Sequence, residues 1–448
     1  MKKNVLFIVG APGKPQNYTS IMPPIGVLGL ASYLESWGYS CDVIDYNVEK
    51  DRSLDFREYG WVCFSVLASN IEKTVKQIND VKQQNPAAQI IIGGPYVRSN
   101  PQFFLNIPEV NVLISGEAEE TLHEFLKKGC DPTVLGLYLR DANGKARFTG
   151  KRPVIMDLDR LPFPALDKVD IKKYNWPVKR RRPISTIVTS RGCPEQCIFC
   201  SHSLGFEWRF RSAKHVVDEL DWQVNELGVQ EVCFFDDNFS LDLKRAEKIC
   251  DLIKERKLDF TFQFPNGLRA DRLNRHLLQQ LKDAGCWYLA LAPETGSDRV
   301  LKTIKKRFTL DKVQEIVRDC KEIGIRTMGL YMIGFPFETR EDIEKTITFS
   351  QKLDTDLAQF AKVTIFADTE LAMMYGYEAT NNEEDKALKT GLIQHEVPGI
   401  SKEDVYKYSR QAYRGFYLRP KKMYNLVHML RPTDLVHLAQ YAISNKNM

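Results

Sequence analysis

Three cysteines fall within eight residues, in Ser190-Arg-Gly-Cys193-Pro-Glu-Gln-Cys197-Ile-Phe-Cys200. Their Cys-x-x-x-Cys-x-x-Cys spacing can deliver three thiolates to one metal centre. A four-iron, four-sulfur cluster needs a cysteine or a substitute at each iron, so three thiolates leave one iron free to bind a further ligand. Two plainer readings compete. Positions 193, 197 and 200 would share one face of a helix, where buried cysteines act as inert small hydrophobes; Gly192 and Pro194 oppose this, because they bracket the first cysteine with turn-forming residues. Alternatively His202 completes a Cys3His zinc site, although zinc motifs separate their ligand pairs by a longer loop. Spacing alone leaves zinc open.

The elements that must position this loop are legible from hydrophobic period. The chain has 448 residues, 43% hydrophobic and 27% charged, with a net charge of +5, which suits two or three soluble domains with full cores. Residues 1–130 alternate apolar strands (Val5 to Val9, Cys41 to Tyr46, Trp61 to Leu67, Ile90 to Ile92, Val110 to Ile114) with helical patterns (Pro24 to Trp37, Ile71 to Gln84, Glu119 to Lys127). That alternation predicts a doubly wound, flavodoxin-like parallel sheet. Ligands bind such sheets at the carboxyl ends of the strands near the switch point, here the loops Gly10 to Ser20, Ala68 to Asn70, Gly93-Gly-Pro95 and Gly116-Glu117. Residues 131–182 lose the period and read as a linker, with a hairpin signal at Asn143-Gly144. Its basic run, Lys179-Arg-Arg-Arg182, reads as a solvated stretch.

Over 183–369 six strand–helix units in series predict a partial parallel barrel, with its site in the loops at the carboxyl ends of the strands. The cysteine loop directly follows the first of these strands, Ile184 to Thr189. A zinc site has no reason to choose that position, so the cluster reading gains. Residues 370–448 read as helices carrying aromatic and basic side chains, for example Tyr413-Arg-Gly-Phe-Tyr-Leu-Arg-Pro-Lys-Lys-Met-Tyr424. They predict a cap over the barrel mouth, with a membrane-surface helix or a lipid-like substrate site as the sharper alternative. The other seven cysteines are scattered, which argues against a disulfide framework or a second cluster. The opening apolar stretch is too short for a signal peptide and no run is long enough to span a bilayer, so the expected location is the cytoplasm.

The segment Thr189-Ser-Arg-Gly-Cys-Pro-Glu-Gln-Cys-Ile-Phe-Cys200 resembles the signature of the radical SAM superfamily. Phe235-Asp-Asp-Asn-Phe239, Pro293-Glu-Thr-Gly-Ser297 and Met332-Ile-Gly-Phe-Pro-Phe-Glu-Thr339 resemble further motifs of its cobalamin-domain branch, in that branch's order. The first half is similar to the branch's cobalamin-binding domain through Pro23-Pro-Ile-Gly-Val-Leu-Gly-Leu-Ala31, Gly93-Gly-Pro-Tyr-Val97 and Gly116-Glu-Ala-Glu-Glu-Thr121. The resemblance implies an α/β fold in which a Rossmann-like cobalamin-binding domain (1–130) and a linker (131–182) precede a (β/α)6 radical SAM barrel (183–369) and a helical C-terminal cap (370–448). It also implies three cofactors: a 4Fe-4S cluster on Cys193, Cys197 and Cys200, S-adenosylmethionine on its open iron, and cobalamin.

Contacts to S-adenosylmethionine are implied at Phe199, beside the adenine; at Asp236, Asp237 and Asn238, a polar run at a strand end that should face a ligand; and at Arg269, Glu294, Met332 and Gly334. Ala-Pro stands before Glu294 where the family more often has Ile or Val, which puts the backbone path there in question. Cobalamin contacts are expected at Pro24, Ser65, Ala68, Ser69, Gly93, Gly94, Pro95, Gly116 and Glu117. The Asp-x-His-x-x-Gly cobalt-ligating motif is missing, and His123, the half's one histidine, reads as a packing residue, so cobalamin is expected without a histidine below the cobalt.

The activity implied is methylation of an unactivated carbon of a small-molecule or lipid-like substrate through a 5'-deoxyadenosyl radical. Alternatives are a radical rearrangement, cyclisation or dehydrogenation with a vestigial cobalamin domain, and a non-enzymatic corrinoid or redox sensor. An electron donor such as flavodoxin or ferredoxin is implied. A nucleic-acid substrate is disfavoured, because the N-terminal cluster cysteines of the methylthiotransferases have no match.

Overall fold

The computed structural model describes residues 4–10, 21–49, 52–66, 71–98, 100–202, 204–377 and 395–429. Seven strands form the first sheet: β1 (Asn4–Val9), β2 (Ser40–Asp45), β3 (Trp61–Ser65), β4 (Gln89–Gly93), β5 (Val110–Ile114), β6 (Leu137–Arg140) and β7 (Ala146–Phe148). Their order is β2-β1-β3-β4-β5-β6-β7. β1 to β5 are parallel and the last two antiparallel. This is the flavodoxin-like order, whose switch point lies between β1 and β3. Runs such as Gln-Ile-Ile-Ile-Gly in β4 bury their apolar side chains on both faces, as helix-covered parallel strands must. The hairpin turning at Asn143-Gly144 is present; it extends the first sheet rather than standing in a linker.

A two-residue clip, β9 (Ser190–Arg191) against β10 (Arg209–Phe210), follows β8 (Ile184–Ile187). The second sheet adds β11 (Glu231–Phe234), β12 (Thr261–Leu268), β13 (Cys286–Glu294), β14 (Arg326–Ile333) and β15 (Leu357–Lys362) to β8. Its six strands are parallel, in the order β15-β14-β13-β12-β11-β8, an open barrel. Six helices that follow its strands begin on capping side chains: Ser212, Asp242, Asn274, Ser297, Thr309 and Thr339, the last in a full capping box. Such caps satisfy otherwise unpaired N–H groups and fix where each loop stops.

Three features differ from the sequence reading. Between β4 and β5, where the hydrophobic period predicts no helix, lies a short one, Pro101–Leu105, started by Pro101 and capped by Asn100. The basic run 179–182 is solvated only in part: Arg180 and Arg182 are exposed, yet the run also plugs the amino end of the barrel. Lys179 is buried, the Arg180 and Arg181 N–H groups donate to buried Glu231 at 2.6 and 2.7 Å, and the Arg180 guanidinium lies over Trp287. A buried carboxylate needs such donors, and the run supplies them through its backbone. Third, the helix Lys402–Tyr417 runs along the open edge of the barrel rather than over its mouth. The Ala358 and Phe360 N–H groups of β15 donate to the Tyr417 and Tyr413 hydroxyls, so the edge strand's unpaired groups are covered. Only its first turn reaches the rim, where Val405 approaches Gly334. Among the described residues no helix is long and apolar enough to cross a membrane.

Candidate active site

The cysteine loop is held at both ends and along its length. Gly192 takes φ +80°, and a Cβ there would stand 2.3 Å from the Glu207 carbonyl oxygen, so only glycine fits. The Cys193 N–H donates to Gly205 O, Cys200 N–H to Cys197 O, Ile198 N–H to Ile304 O, and the Leu371 N–H to Ile198 O at 2.8 Å. Cys193 and Cys197 are half-buried and Cys200 exposed. His202 does not stand free as a fourth ligand: its ring nitrogens lie 2.8 and 2.7 Å from the Cys200 and Glu195 carbonyl oxygens. Among the described residues no three or more His, Cys, Asp or Glu side chains close on a single ion. A cuboidal cluster, each of whose irons is reached by its own ligand, makes no such demand. With His202 so engaged, the loop offers three cysteine ligands, the number that leaves one iron of a four-iron cluster open.

The eight residues expected at S-adenosylmethionine gather round this loop. Asn238 Nδ2 lies 3.9 Å from Cys193 Sγ, its backbone carbonyl accepts from Trp208, and its buried Oδ1 has no partner among the described residues. Exposed Asp237 accepts from the Gly192 N–H; surrounding bulk and neighbouring Asp236 push its carboxyl above the usual range. Phe199 packs against Phe335 with ring centroids 5.8 Å apart, in one apolar cluster with Met332. Gly334, at φ +96°, is clamped: its N–H donates to Glu338 and its carbonyl oxygen lies 2.6 Å from His395. Glu294 ends β13 in a left-handed conformation, φ +64°, after a register shift between Leu291 and Glu294. The Ala-Pro variation thus sits where the strand breaks register.

Two of the eight also hold the loop itself. Asp236 Oδ1 accepts from the Thr189 and Ser190 hydroxyls at 2.7 and 2.5 Å, tying β11 to the start of the loop. Arg269 is buried; it pairs with Asp271, lies 3.5 Å from the Glu195 carboxylate within the loop and donates to the Lys306 carbonyl oxygen at 2.9 Å.

Sequence reasoning missed Lys306. Its ammonium meets Glu294 Oε1 at 2.6 Å, with both side chains at most 10% exposed, and lies 5.7 Å from the Phe199 ring centroid. Burial pushes the Cys197 thiol up, and Lys306 and then Arg269 oppose it. The run Lys305-Lys306-Arg307 looks like surface; only the fold shows which of its cations is inside.

A cavity of about 750 Å³ opens at the carboxyl ends of the first sheet, within the range of large-ligand pockets. Pro24, Ser65, Gly93, Gly94, Gly116 and Glu117 line it; Val188, Arg191 and Leu204 close it from the barrel side. Pro95 opens the turn Pro95–Arg98 that follows Gly94, and Ala68 and Ser69 lie outside the described residues. Among the described residues an added Cβ at Gly26, Gly29 or Gly116 would meet nothing within 4 Å, so these glycines leave room for a bulky group. Among the described residues no histidine lines the cavity. His123 is buried against Trp37, with centroids 4.3 Å apart.

Glu117 and Glu119 tie this wall to the cysteine loop. Glu117 Oε1 lies 2.7 Å from Arg209 and 3.3 Å from Arg191, Glu119 Oε1 lies 2.6 Å from Arg191, and Glu117 Oε2 accepts from the Ile155 N–H at 2.9 Å. Arg191 stands two residues before Cys193, so the two sites share a wall and its ion pairs.

Residues 187–350 match the family model described as the radical SAM superfamily, and residues 16–126 match the one described as the B12 binding domain. An uncharacterised methyltransferase of Pyrococcus horikoshii is 34% identical over 372 residues, covering 79% of this chain and 76% of the relative. The chain belongs to the radical SAM superfamily, in its branch with a B12-binding domain. The cytidylyl-2-hydroxyethylphosphonate methyltransferase of Streptomyces wedmorensis is 26% identical over 472 residues, 90% of this chain and 87% of that one. Among solved structures, the radical S-adenosylmethionine methyltransferase TsrM of Kitasatospora setae, with cobalamin and a [4Fe-4S] cluster bound, superposes with a TM-score of 0.66 at 18% identity, over 84% of this chain and 74% of that chain. At that identity the likeness concerns the fold.

Proposed function

We propose that the protein is a cobalamin-dependent radical SAM methyltransferase that alkylates an unactivated carbon of a small-molecule or lipid-like substrate. The observation that carries this reading is the shared wall: Val188 and Arg191, at the entrance to the cysteine loop, also line the glycine-walled cavity of the B12-binding domain. A cofactor cavity serving an unrelated purpose would have no need to abut the cluster loop.

Cys193, Cys197 and Cys200 would hold the cluster, which supplies the electron that breaks a carbon–sulfur bond of S-adenosylmethionine. Cobalamin, held in the cavity, supplies a transferable methyl group. Asp237 and the unpartnered Asn238 Oδ1 accept hydrogen bonds from the ammonium of S-adenosylmethionine. Phe199 and Met332 cover the adenine with apolar surface, while the Gly334 backbone, fixed from both sides, allows close approach. Glu294, held by Lys306, accepts from ribose hydroxyls. Asp236 and Arg269 act as positioning residues, holding the cysteine loop and the Lys306 turn. Pro24, Ser65, Gly93, Gly94, Gly116 and Glu117 wall the cobalamin side, and Pro95 follows Gly94 directly. The name of the Streptomyces relative, a cytidylyl-2-hydroxyethylphosphonate methyltransferase, supports a small-molecule substrate here.

The test is product analysis after anaerobic reconstitution with iron, sulfide, cobalamin and a chemical reductant. Formation of both 5'-deoxyadenosine and S-adenosylhomocysteine is expected. 5'-Deoxyadenosine alone would mean a rearrangement, cyclisation or dehydrogenation, and neither product would mean a sensor.

A further inference from the structure

The cavity at the carboxyl end of the first sheet runs deeper than its rim. Val9, Ser65 and Gly93 stand in register across three neighbouring strands and edge its mouth. Two residues farther down the same strands, roughly 7 Å below, Phe7, Cys63 and Ile91 form a second row, again in register, and line the cavity too. This lower row packs in one core cluster with Val27 and Leu122, so it faces the helices Ile25–Ser36 and Glu119–Lys128. Close-packed interiors leave few voids larger than a water molecule, yet here a gap persists between sheet and helix. Gly29 and Leu30 border it, and among the described residues an added Cβ at Gly29 would meet nothing within 4 Å.

Among the described residues this arm is apolar. β1, β3 and β4 are each paired on both sides, so their backbone groups are satisfied within the sheet. The one polar side-chain atom of the lower row is the Cys63 sulfur, a weak donor, and burial holds its thiol well above the usual range. The polar side chains of the cavity stand at the rim or beyond it. Ser65 and Asp45 are level with Val9, and Asp45 is bound to Asn47. Lys73 lies in the first turn of the helix that follows β3. Glu117 and Glu119 follow β5 and are taken up by Arg191 and Arg209, and Arg211, held by Glu219, comes from the barrel side.

We propose that the arm selects the corrinoid by its lower base, admitting a dimethylbenzimidazole and discriminating against an adenine. The inference rests on the proposed function, in which cobalamin occupies this cavity. The lower nucleotide of a cobamide hangs from the corrin ring on a flexible link, so its base reaches the arm while the ring stays at the rim. Dimethylbenzimidazole meets Phe7, Leu30, Ile91 and Leu122 with ring edges and two methyl groups, which gain by leaving water. Adenine would bring an exocyclic amine and further ring nitrogens to a place that offers them one thiol, and polar groups buried without partners are costly. Cys63 and Ile91 therefore set cofactor specificity; they take no part in the chemistry.

The experiment is equilibrium dialysis of the full chain, with its cluster reconstituted and free of corrinoid, against aquacobalamin, its adeninyl counterpart and cobinamide, which has no lower nucleotide. Cobalamin should bind roughly tenfold or more tightly than either of the others. Cys63→Ser places a hydroxyl in the lower row and should narrow the gap between the two cobamides roughly threefold or more, while cobinamide, the control for folding, binds as it does to the parent. Equal affinity of the two cobamides for the parent would overturn the inference and leave the proposed function standing. A gap in Cys63→Ser as wide as in the parent would also overturn it, because selection would then lie outside the arm. Should Cys63→Ser lose cobinamide as well, Ile91→Thr decides the matter by the same criterion. Binding of none of the three corrinoids would overturn the cobalamin reading and this inference with it.

Discussion

Replacing Glu117 by Met should destabilise the protein through the joint between its two halves. Arg209 is buried to 1% side-chain exposure and Glu117 to 9%, with 2.7 Å between nitrogen and oxygen. At an effective dielectric constant of about 20 their attraction is about 6 kcal/mol, which offsets the cost of taking both charges out of water. Removing the carboxylate leaves that cost on Arg209, roughly 3–5 kcal/mol. It also deprives the Ile155 N–H of its acceptor, worth about 1 kcal/mol. Pairing Glu117→Met with Arg209→Met removes the stranded charge, so the double variant should lose only about 1–2 kcal/mol. Arg191 retains Glu119 in either case. Urea midpoints of the apo-protein, with limited proteolysis of residues 149–182 as a local probe, report both quantities. A cost for Glu117→Met below about 1 kcal/mol, or a double variant as unstable as the sum of the singles, would refute the claim that this pair locks the joint.

Gly29→Leu should act with opposite signs on apo-stability and cofactor binding. Gly29 lies in the helix Ile25–Ser36, where glycine costs about 1 kcal/mol relative to a good helix former, and its Cβ would point into open cavity. The variant should melt at or above the parent temperature yet bind cobalamin at least tenfold more weakly by absorbance titration; unaltered binding would place the cofactor elsewhere. Gly192→Ala should lose most of its iron after reconstitution, measured as iron per chain, because its Cβ would collide with Glu207 O; full loading would show that the loop path is wrong. Glu338, which burial pushes up to about 7 against the opposing Phe335 and Gly334 N–H donors, should make stability pH-dependent. Its folded value exceeds the ordinary 4.5, so its contribution is complete below that pH and is lost as pH rises through 7. The parent should therefore lose up to about 3 kcal/mol relative to Glu338→Gln between pH 5 and 8, read from urea midpoints; parallel profiles would contradict this.

The succession of elements was legible because it rests on local period: the parallel strands of both sheets coincide with apolar runs, and the cysteine loop is a local motif after one of them. What escaped depends on distance in sequence. Nothing around Lys306 distinguishes it from Lys305, and only the approach of Glu294 at the broken end of β13 makes it internal. Arg209 is likewise anonymous until Glu117, 92 residues earlier, meets it. The plug at 179–182 reads as solvated because its side chains are basic, whereas its backbone N–H groups do the anchoring. Tyr413 and Tyr417 fit an aromatic cap, but the unpaired edge of β15 decides where they lie.

The central claim is that Cys193, Cys197 and Cys200 hold a cluster with one open iron. Low-temperature EPR of the reduced protein, with and without S-adenosylmethionine, tests it most directly when run beside the triple alanine variant. The parent should carry about four irons per chain and a signal that shifts when S-adenosylmethionine is added; the variant should carry neither. Equal iron content and an identical signal in the two proteins would contradict the account.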